Sequence, residues 1–354
     1  MSKRIVYINQ LDSLRAIAAI MVLCAHYVED LNIFHFPYGG YGVQIFFVIS
    51  GFLITSILLS QKNILDIPKR KLVFNFIIKR ALRLFPIYYL FVFFLFGLSI
   101  TGGLWICREG GFWYYLTYTQ NYFFYLYDFQ SPLLNHSWSL AVEEQFYIIW
   151  PFFILFLPRK MELFFIISIT LIGVFANFYF SNYYSGMGTT KGVTFSHFFT
   201  LGTGALLAYI KTYQCNYIVD FFKKHCQWML VVVFLLSVFF SVTKFDSSFF
   251  SPFPIALMSA FLVFICSYSV NTFLTPVLNL KLLQDIGKIS YGVYLYHKPI
   301  PFFFNFIYAK LSLPIISNKI ILFCIYFMLT IIIAKLSMKL IEKPIFKIKE
   351  KFDL

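Results

Sequence analysis

The sequence is short of charge. Lys, Arg, Asp and Glu make up 12% of its 354 residues, against roughly 25% in an ordinary soluble domain. A soluble globule needs a polar skin, and this chain cannot supply one. That shortage excludes a soluble enzyme, a disordered tail and a nucleic-acid binder. The six cysteines are scattered and form no CxxC pair, which argues against a disulfide framework or a zinc site. The six histidines lack metal-ligand spacing, so no metal is expected. No internal repeat, low-complexity stretch or soluble domain is visible.

Apolar side chains are plentiful. They make up 60% of the chain, with 48 Phe and 25 Tyr. An integral membrane protein accommodates this composition, because Phe and Tyr suit lipid-facing and interfacial surfaces. A hydrocarbon core of about 30 Å needs roughly 20 apolar residues in a helix. Segments near 11–28, 42–60, 84–102, 138–157, 161–180, 194–210, 228–243, 254–271, 288–308 and 319–338 meet that length. They are long and continuously apolar, whereas barrel strands would alternate over about ten residues. The expected fold is an all-α integral membrane domain over 1–354 with about ten transmembrane helices. The N-terminus reads as a retained first span. Asp12 and Arg15 interrupt the approach to its apolar run, and no small-residue cleavage site follows.

The excess of Lys and Arg, 29 against 15 Asp and Glu, carries topology. With both ends in the cytoplasm, only Arg108, Lys191, Lys244, Lys298, Lys310 and Lys319 fall outside. That bias supports N-in, C-in. Residues 110–128, aromatic but short and polar, are expected to form an outer-face or re-entrant helix, where Trp and Tyr sit well.

Ionisable groups inside spans are costly and by default mark function, although a packed structural pair is the alternative. Arg15 and His26 stand eleven positions apart on one expected helix. Three turns put them on one face, roughly 16 Å apart in depth. A neutral imidazole can take a proton from a hydroxyl; a hydrogen-bonded packing histidine is the other reading. Asp30, four residues further on, is placed to orient that ring or stabilise its charged form. Arg80 and Arg83, at i and i+3, share a face at the start of the third span. Their paired forks suit phosphate better than lysine point charges do. The lysines of the preceding loop read as topogenic charge or anionic-lipid contacts. His136 and Glu143, seven apart in the run His136 to Tyr147, share a face if helical. Helix-dipole support is the alternative account of such an acid. Ser50-Gly51 permits close helix approach and is a poor catalytic-serine motif. Gly202 and Gly204 mark tight packing, Lys298 reads as a snorkelling anchor, and Glu342-Lys343-Pro344 reads as structural. His35, His197 and His225 have no persuasive partner.

In this order the pieces resemble the acyltransferase-3 family of bacterial membrane O-acyltransferases. Arg15 followed by His26 is similar to its R-x10-H element. Gly42 to Phe52 resembles its second-helix signature, and Arg80-Ala81-Leu82-Arg83 its RxxR element. His136 to Tyr147 resembles its H-x-WSLxxEExFY run. Ile286 to His297 resembles its late GxxSYxxYLxH motif. The resemblance spans nearly the whole chain. It implies transfer of an acyl group, usually acetyl from acetyl-CoA, to a hydroxyl of a cell-envelope glycan in the bacterial inner membrane. Surface polysaccharides such as O-antigen, or a lipid-linked glycan, would be the acceptor. Membrane lipid is a partner and nucleic acid is not.

Carried over residue by residue, His26 and Glu143 would be catalytic, and Arg15, Arg80 and Arg83 would serve acetyl-CoA. His136, Ser139 and Asp30 are placed at the acceptor. Many members carry an acid where Gln44 stands, so that position receives no catalytic role. Some relatives carry a C-terminal SGNH domain; none is expected here. A lipid-linked glycan or small-solute transporter is the alternative reading, weakened by the lack of inverted repeats.

Overall fold

The computed structural model describes residues 7–28, 38–62, 67–102, 110–127, 131–183, 193–213, 216–243, 252–314 and 316–349. Every regular element among them is a helix. In chain order these are α1 (Asn9–Tyr27), α2 (Tyr38–Lys62), α3 (Lys69–Gly102), α4 (Gly111–Leu116), α5 (Gln120–Tyr127), α6 (Trp138–Phe156) and α7 (Arg159–Tyr183). Then come α8 (Phe198–Tyr213), α9 (Asn216–Thr243), α10 (Pro252–Tyr268), α11 (Thr275–Leu278), α12 (Lys281–Lys288), α13 (Ser290–Tyr296), α14 (Pro299–Lys310), α15 (Lys319–Ser337) and α16 (Lys343–Lys349).

Among the described residues, six helices are long and apolar enough to cross a membrane: Gly39–Lys62, Lys69–Ile100, Asn135–Phe156, Arg159–Asn182, Asn216–Phe240 and Lys319–Ile348. Pro252–Tyr268 is a shorter apolar helix. The chain is thus an all-helical integral membrane protein. Its outer helices wear the apolar surface that lipid requires. On α7 and α9, Phe164, Phe175 and Trp228 are 70%, 68% and 70% exposed, a surface that water would penalise by roughly 25 cal/mol per Å².

Several segments depart from plain spans for identifiable reasons. The third helix starts at Lys69, well before the apolar run, so Arg80 and Arg83 lie well inside it. Pro86 is accommodated inside the same helix. The 194–210 segment opens with a 3-10 turn, Thr194–His197, before α8. The 288–308 segment divides into α13 and α14, the latter starting on Pro299, whose missing N–H suits a first turn. The aromatic 110–128 segment forms two short helices, with Tyr118 between them at φ 52°.

Helix α1 runs through the interior, with Leu14, Ala18 and Leu23 fully buried. Close crossings fix its neighbours. A Cβ on Gly51 would stand 2.0 Å from the Leu201 carbonyl oxygen, and one on Gly204 would stand 2.1 Å from that of Val48. Helices α2 and α8 therefore touch backbone to backbone, the approach that small residues allow in membranes. At one end of the bundle, Lys62 Nζ donates to the Ile154 carbonyl at 2.6 Å and to that of Leu157. It also pairs with Glu162 at 2.6 Å, and Tyr213 donates to the same carboxylate at 2.6 Å. Lys62 thus supplies donors to the open carbonyls ending α6. Its role is structural, where the sequence offered only loop charge.

Candidate active site

Two cavities share a wall. The first, of about 80 Å³, is lined by Arg15, Ser50, Arg80, Arg83, Glu143 and Tyr147 among others. Four helices supply these groups: α1, α2, α3 and α6. The i, i+3 spacing on α3 delivers both guanidiniums to one side, as the sequence implied. Ser50 Oγ donates to Glu143 Oε1 at 2.7 Å and lies 3.0 Å from the Tyr147 hydroxyl. The Arg80 guanidinium lies over the Tyr147 ring at 5.5 Å and over Phe76 at 5.6 Å. Stacking between two rings orients the planar fork while leaving its N–H edge available.

The second cavity is wider, about 570 Å³, and includes Asp12, Arg15, Arg83, Lys288 and Tyr291 in its lining. Arg15, Arg83 and Tyr291 belong to both linings. A wide chamber and a narrow one therefore lie on either side of the arginines. Arg15 is held by Asp12 at 3.2 Å, and Tyr7 donates to the same carboxylate. A Cβ on Gly287 would meet the Asp12 carbonyl oxygen at 1.9 Å. That glycine lets α12 lie directly on the start of α1.

His26 and His136 line neither cavity. They meet elsewhere, around His297. The half-buried His26 ring stacks on His297 with centroids 5.2 Å apart. His136 meets His297 edge-on at 4.7 Å. His136 Nε2 lies 3.1 Å from the Leu295 carbonyl, and His297 Nδ1 lies 2.6 Å from the Tyr294 carbonyl. Since a carbonyl only accepts, each of these nitrogens is the donor. Tyr27 donates from its hydroxyl to the His297 carbonyl at 2.7 Å.

The expected site residues are thus sorted into two groups. Arg15, Arg80, Arg83, Ser139 and Glu143 line the narrow cavity. His26 and His136 form the histidine cluster. His136 lies in the 3-10 turn Asn135–Ser137 that runs into α6, and it meets His297 whereas Glu143 lines the narrow cavity. Asp30 lies outside the described residues. Ser139 and Tyr294 stand between the groups. They are hydrogen-bonded at 2.6 Å and both line the narrow cavity. The Tyr294 ring lies 5.6 Å from His136 and 5.5 Å from His297.

The sequence assigns no role to Tyr147, Tyr294 or His297, and only a packing role to Ser50. Each stands within a quoted motif, but spacing along one helix does not reveal a meeting between helices. Gln44 is engaged structurally, accepting a hydrogen bond from Thr200.

A helical bundle thus holds a guanidinium-lined cavity and, beside it, a cluster of three histidines. The family model Acyl_transf_3, described as an acyltransferase domain, matches residues 8–338, and the chain belongs to that family. It is 30% identical over 377 residues to O-acetyltransferase OatA of Staphylococcus aureus, covering 96% of this chain and 57% of that one. It is 31% identical over 376 residues to peptidoglycan O-acetyltransferase OatA of Listeria monocytogenes, covering 96% and 56%. The putative peptidoglycan O-acetyltransferase YrhL of Bacillus subtilis is 31% identical over 373 residues, covering 96% and 55%. The chain thus spans just over half the length of these relatives. No solved structure matches it.

Proposed function

We propose that this protein transfers an acetyl group from acetyl-CoA to a hydroxyl of a cell-envelope glycan. The names of the Listeria and Bacillus relatives point to peptidoglycan as the acceptor; none of the three relatives is named for O-antigen or lipopolysaccharide. The observation that carries the reading is the pair of adjacent cavities, one large and one small, with Arg15 and Arg83 lining both. A nucleotide with a slender thioester arm has that shape. The reading keeps the domain in the bacterial inner membrane, N-in and C-in, with about ten crossings.

Guanidinium forks of Arg15, Arg80 and Arg83 take the donor phosphates as charge-assisted pairs. The pantetheine arm enters the narrow cavity beside Ser50, Glu143 and Tyr147. The Ser139–Tyr294 pair is then the last barrier between the thioester and His26. An acceptor hydroxyl gives its proton to His26 while its oxygen attacks the thioester carbonyl carbon. The C–O bond forms, the C–S bond breaks, and the CoA sulfur takes the proton back from His26. Glu143, held by Ser50, is the second catalytic group. His136 and Ser139 bear on the acceptor, and Asp30 is assigned there by its spacing from His26.

The test is chemical. Surface glycans from cells with and without the protein are compared by NMR and mass spectrometry. A protein-dependent O-acetyl ester is expected, lost in His26→Ala. Identical glycans, or an ester retained at full level in His26→Ala, would overturn the reading.

A further inference from the structure

The wide cavity carries cations that the proposed reaction does not use. Lys335 stands at the end of α15, Lys339 in the π-helical turn Met338–Glu342, and Lys343 at the start of α16. All three line the cavity, with Lys288 of α12. Four-residue steps on an ideal α-helix drift by about 80° over eight residues. The wider π turn counters that drift, and such turns recur at functional sites. The three lysines therefore line one chamber. Their charge is not balanced locally. Asp12 is paired with Arg15 at 3.2 Å and Asp285 with Lys288 at 3.0 Å. Glu342, the third acid on that lining, is buried. Among the described residues, Lys335, Lys339 and Lys343 form no ion pair. Apolar surface adjoins them, from Tyr7, Ile289, Met338 and Phe346.

We infer that the wide cavity is a subsite for the 3′-phosphorylated adenosine end of the donor, with Lys335, Lys339 and Lys343 holding the 3′-phosphate. This rests on acetyl-CoA being the donor. At about 570 Å³ the chamber falls within the range of roughly 300–1,000 Å³ usual for ligand pockets. The apolar wall suits a base. A terminal phosphate monoester carries about −1.5 to −2 charge at pH 7. It rotates freely about its ester bond, and ammonium groups on flexible stems can gather around it as point charges. The bridging pyrophosphate is left to the arginines at the narrow end. An anionic lipid headgroup shares the phosphate chemistry, but it does not account for the second chamber that Arg15 and Arg83 also line.

The test is equilibrium binding to the full chain in nanodiscs. Acetyl-CoA and 3′-dephospho-acetyl-CoA are titrated in phosphatidylcholine discs and again in discs containing phosphatidylglycerol. The expected result is about tenfold or more tighter binding of acetyl-CoA, one or more charge-assisted contacts' worth. The triple variant Lys335→Gln, Lys339→Gln, Lys343→Gln should abolish that ratio by weakening acetyl-CoA alone. Equal affinities in the parent protein would overturn the inference and leave the donor reading standing. So would a triple variant that keeps the ratio and loses only its response to phosphatidylglycerol, which would assign the lysines to lipid. Binding of neither nucleotide would overturn the donor reading itself and the subsite with it.

Discussion

His26 and His297 lie face to face, with ring centroids 5.2 Å apart and planes inclined by 26°. They come from α1 and from the end of α13, 271 positions apart in the chain. His297 is fully buried and its Nδ1 donates to the Tyr294 carbonyl. That bond fixes the tautomer and orientation of His297, and the stacked pair in turn orients His26. Under the proposed function His297 is a positioning residue. His297→Ala should lower kcat by roughly 10²-fold, the lower end of what one proton-transfer group contributes. The KM for acetyl-CoA should stay unchanged, because the arginine cavity does not include His297. The pH dependence of kcat should also shift, which a merely structural loss would not produce. Steady-state kinetics over pH check both points, and an unaltered profile would remove His297 from this role.

Arg80 tests the phosphate assignment. Its guanidinium lies over two rings, Tyr147 and Phe76. A lysine keeps the charge and loses both the stacking and the fork. Arg80→Lys is expected to raise the KM for acetyl-CoA about tenfold, with kcat at saturation largely kept. Arg80→Ala should raise it further. The measurement is initial rate against acetyl-CoA concentration, and an unchanged KM in both variants would exclude Arg80 from donor binding.

The pair Lys62–Glu162 concerns stability rather than turnover. Glu162 is fully buried and Lys62 is 12% exposed. Removing one partner leaves a buried charge without its counter-ion, a loss of about 3–5 kcal/mol. Glu162→Gln should therefore lower the thermal midpoint of the detergent-solubilised protein by many degrees. The double variant Lys62→Met, Glu162→Leu should recover much of that loss, since an apolar pair of similar volume avoids the desolvation cost. Equal midpoints for parent and single variant would show that the pair contributes nothing.

Much of this was legible in the sequence, and the illegible part has a single physical character. The shortage of charge and the long apolar runs announced a membrane protein, and Arg80 and Arg83 reached one cavity because i, i+3 spacing on a helix is a local rule. Contacts between distant elements have no such rule. Nothing along the chain says that Ser50 meets Glu143, or that His297 lies between His26 and His136. The expectation that His136 shares a face with Glu143 assumed a helix continuing through both. The tighter 3-10 turn at Asn135–Ser137 runs straight into α6 and changes the angular step there, and His136 stands among the histidines while Glu143 lines the narrow cavity. Lys62 looked like loop charge because its partners, the carbonyls of Ile154 and Leu157, are backbone groups that composition does not reveal.

Gly51 links packing to chemistry. Its Cβ position lies 2.0 Å from the Leu201 carbonyl oxygen, a backbone atom that cannot rotate away. Gly51→Ala must push α2 and α8 apart, at about 1–3 kcal/mol for such overpacking. The neighbouring Ser50, which donates to Glu143, moves with α2. Both thermal stability and acetyl transfer should therefore fall together. Gly97 supplies the control. It lies within α3, and a Cβ there would meet nothing within 4 Å. Gly97→Ala should be neutral or stabilising by about 0.5–1 kcal/mol, as expected for relieving a glycine inside a helix. Thermal denaturation and transfer assays on the two variants decide the matter. Should Gly51→Ala match Gly97→Ala in both, the close crossing of α2 and α8 would not be what holds Ser50 against Glu143.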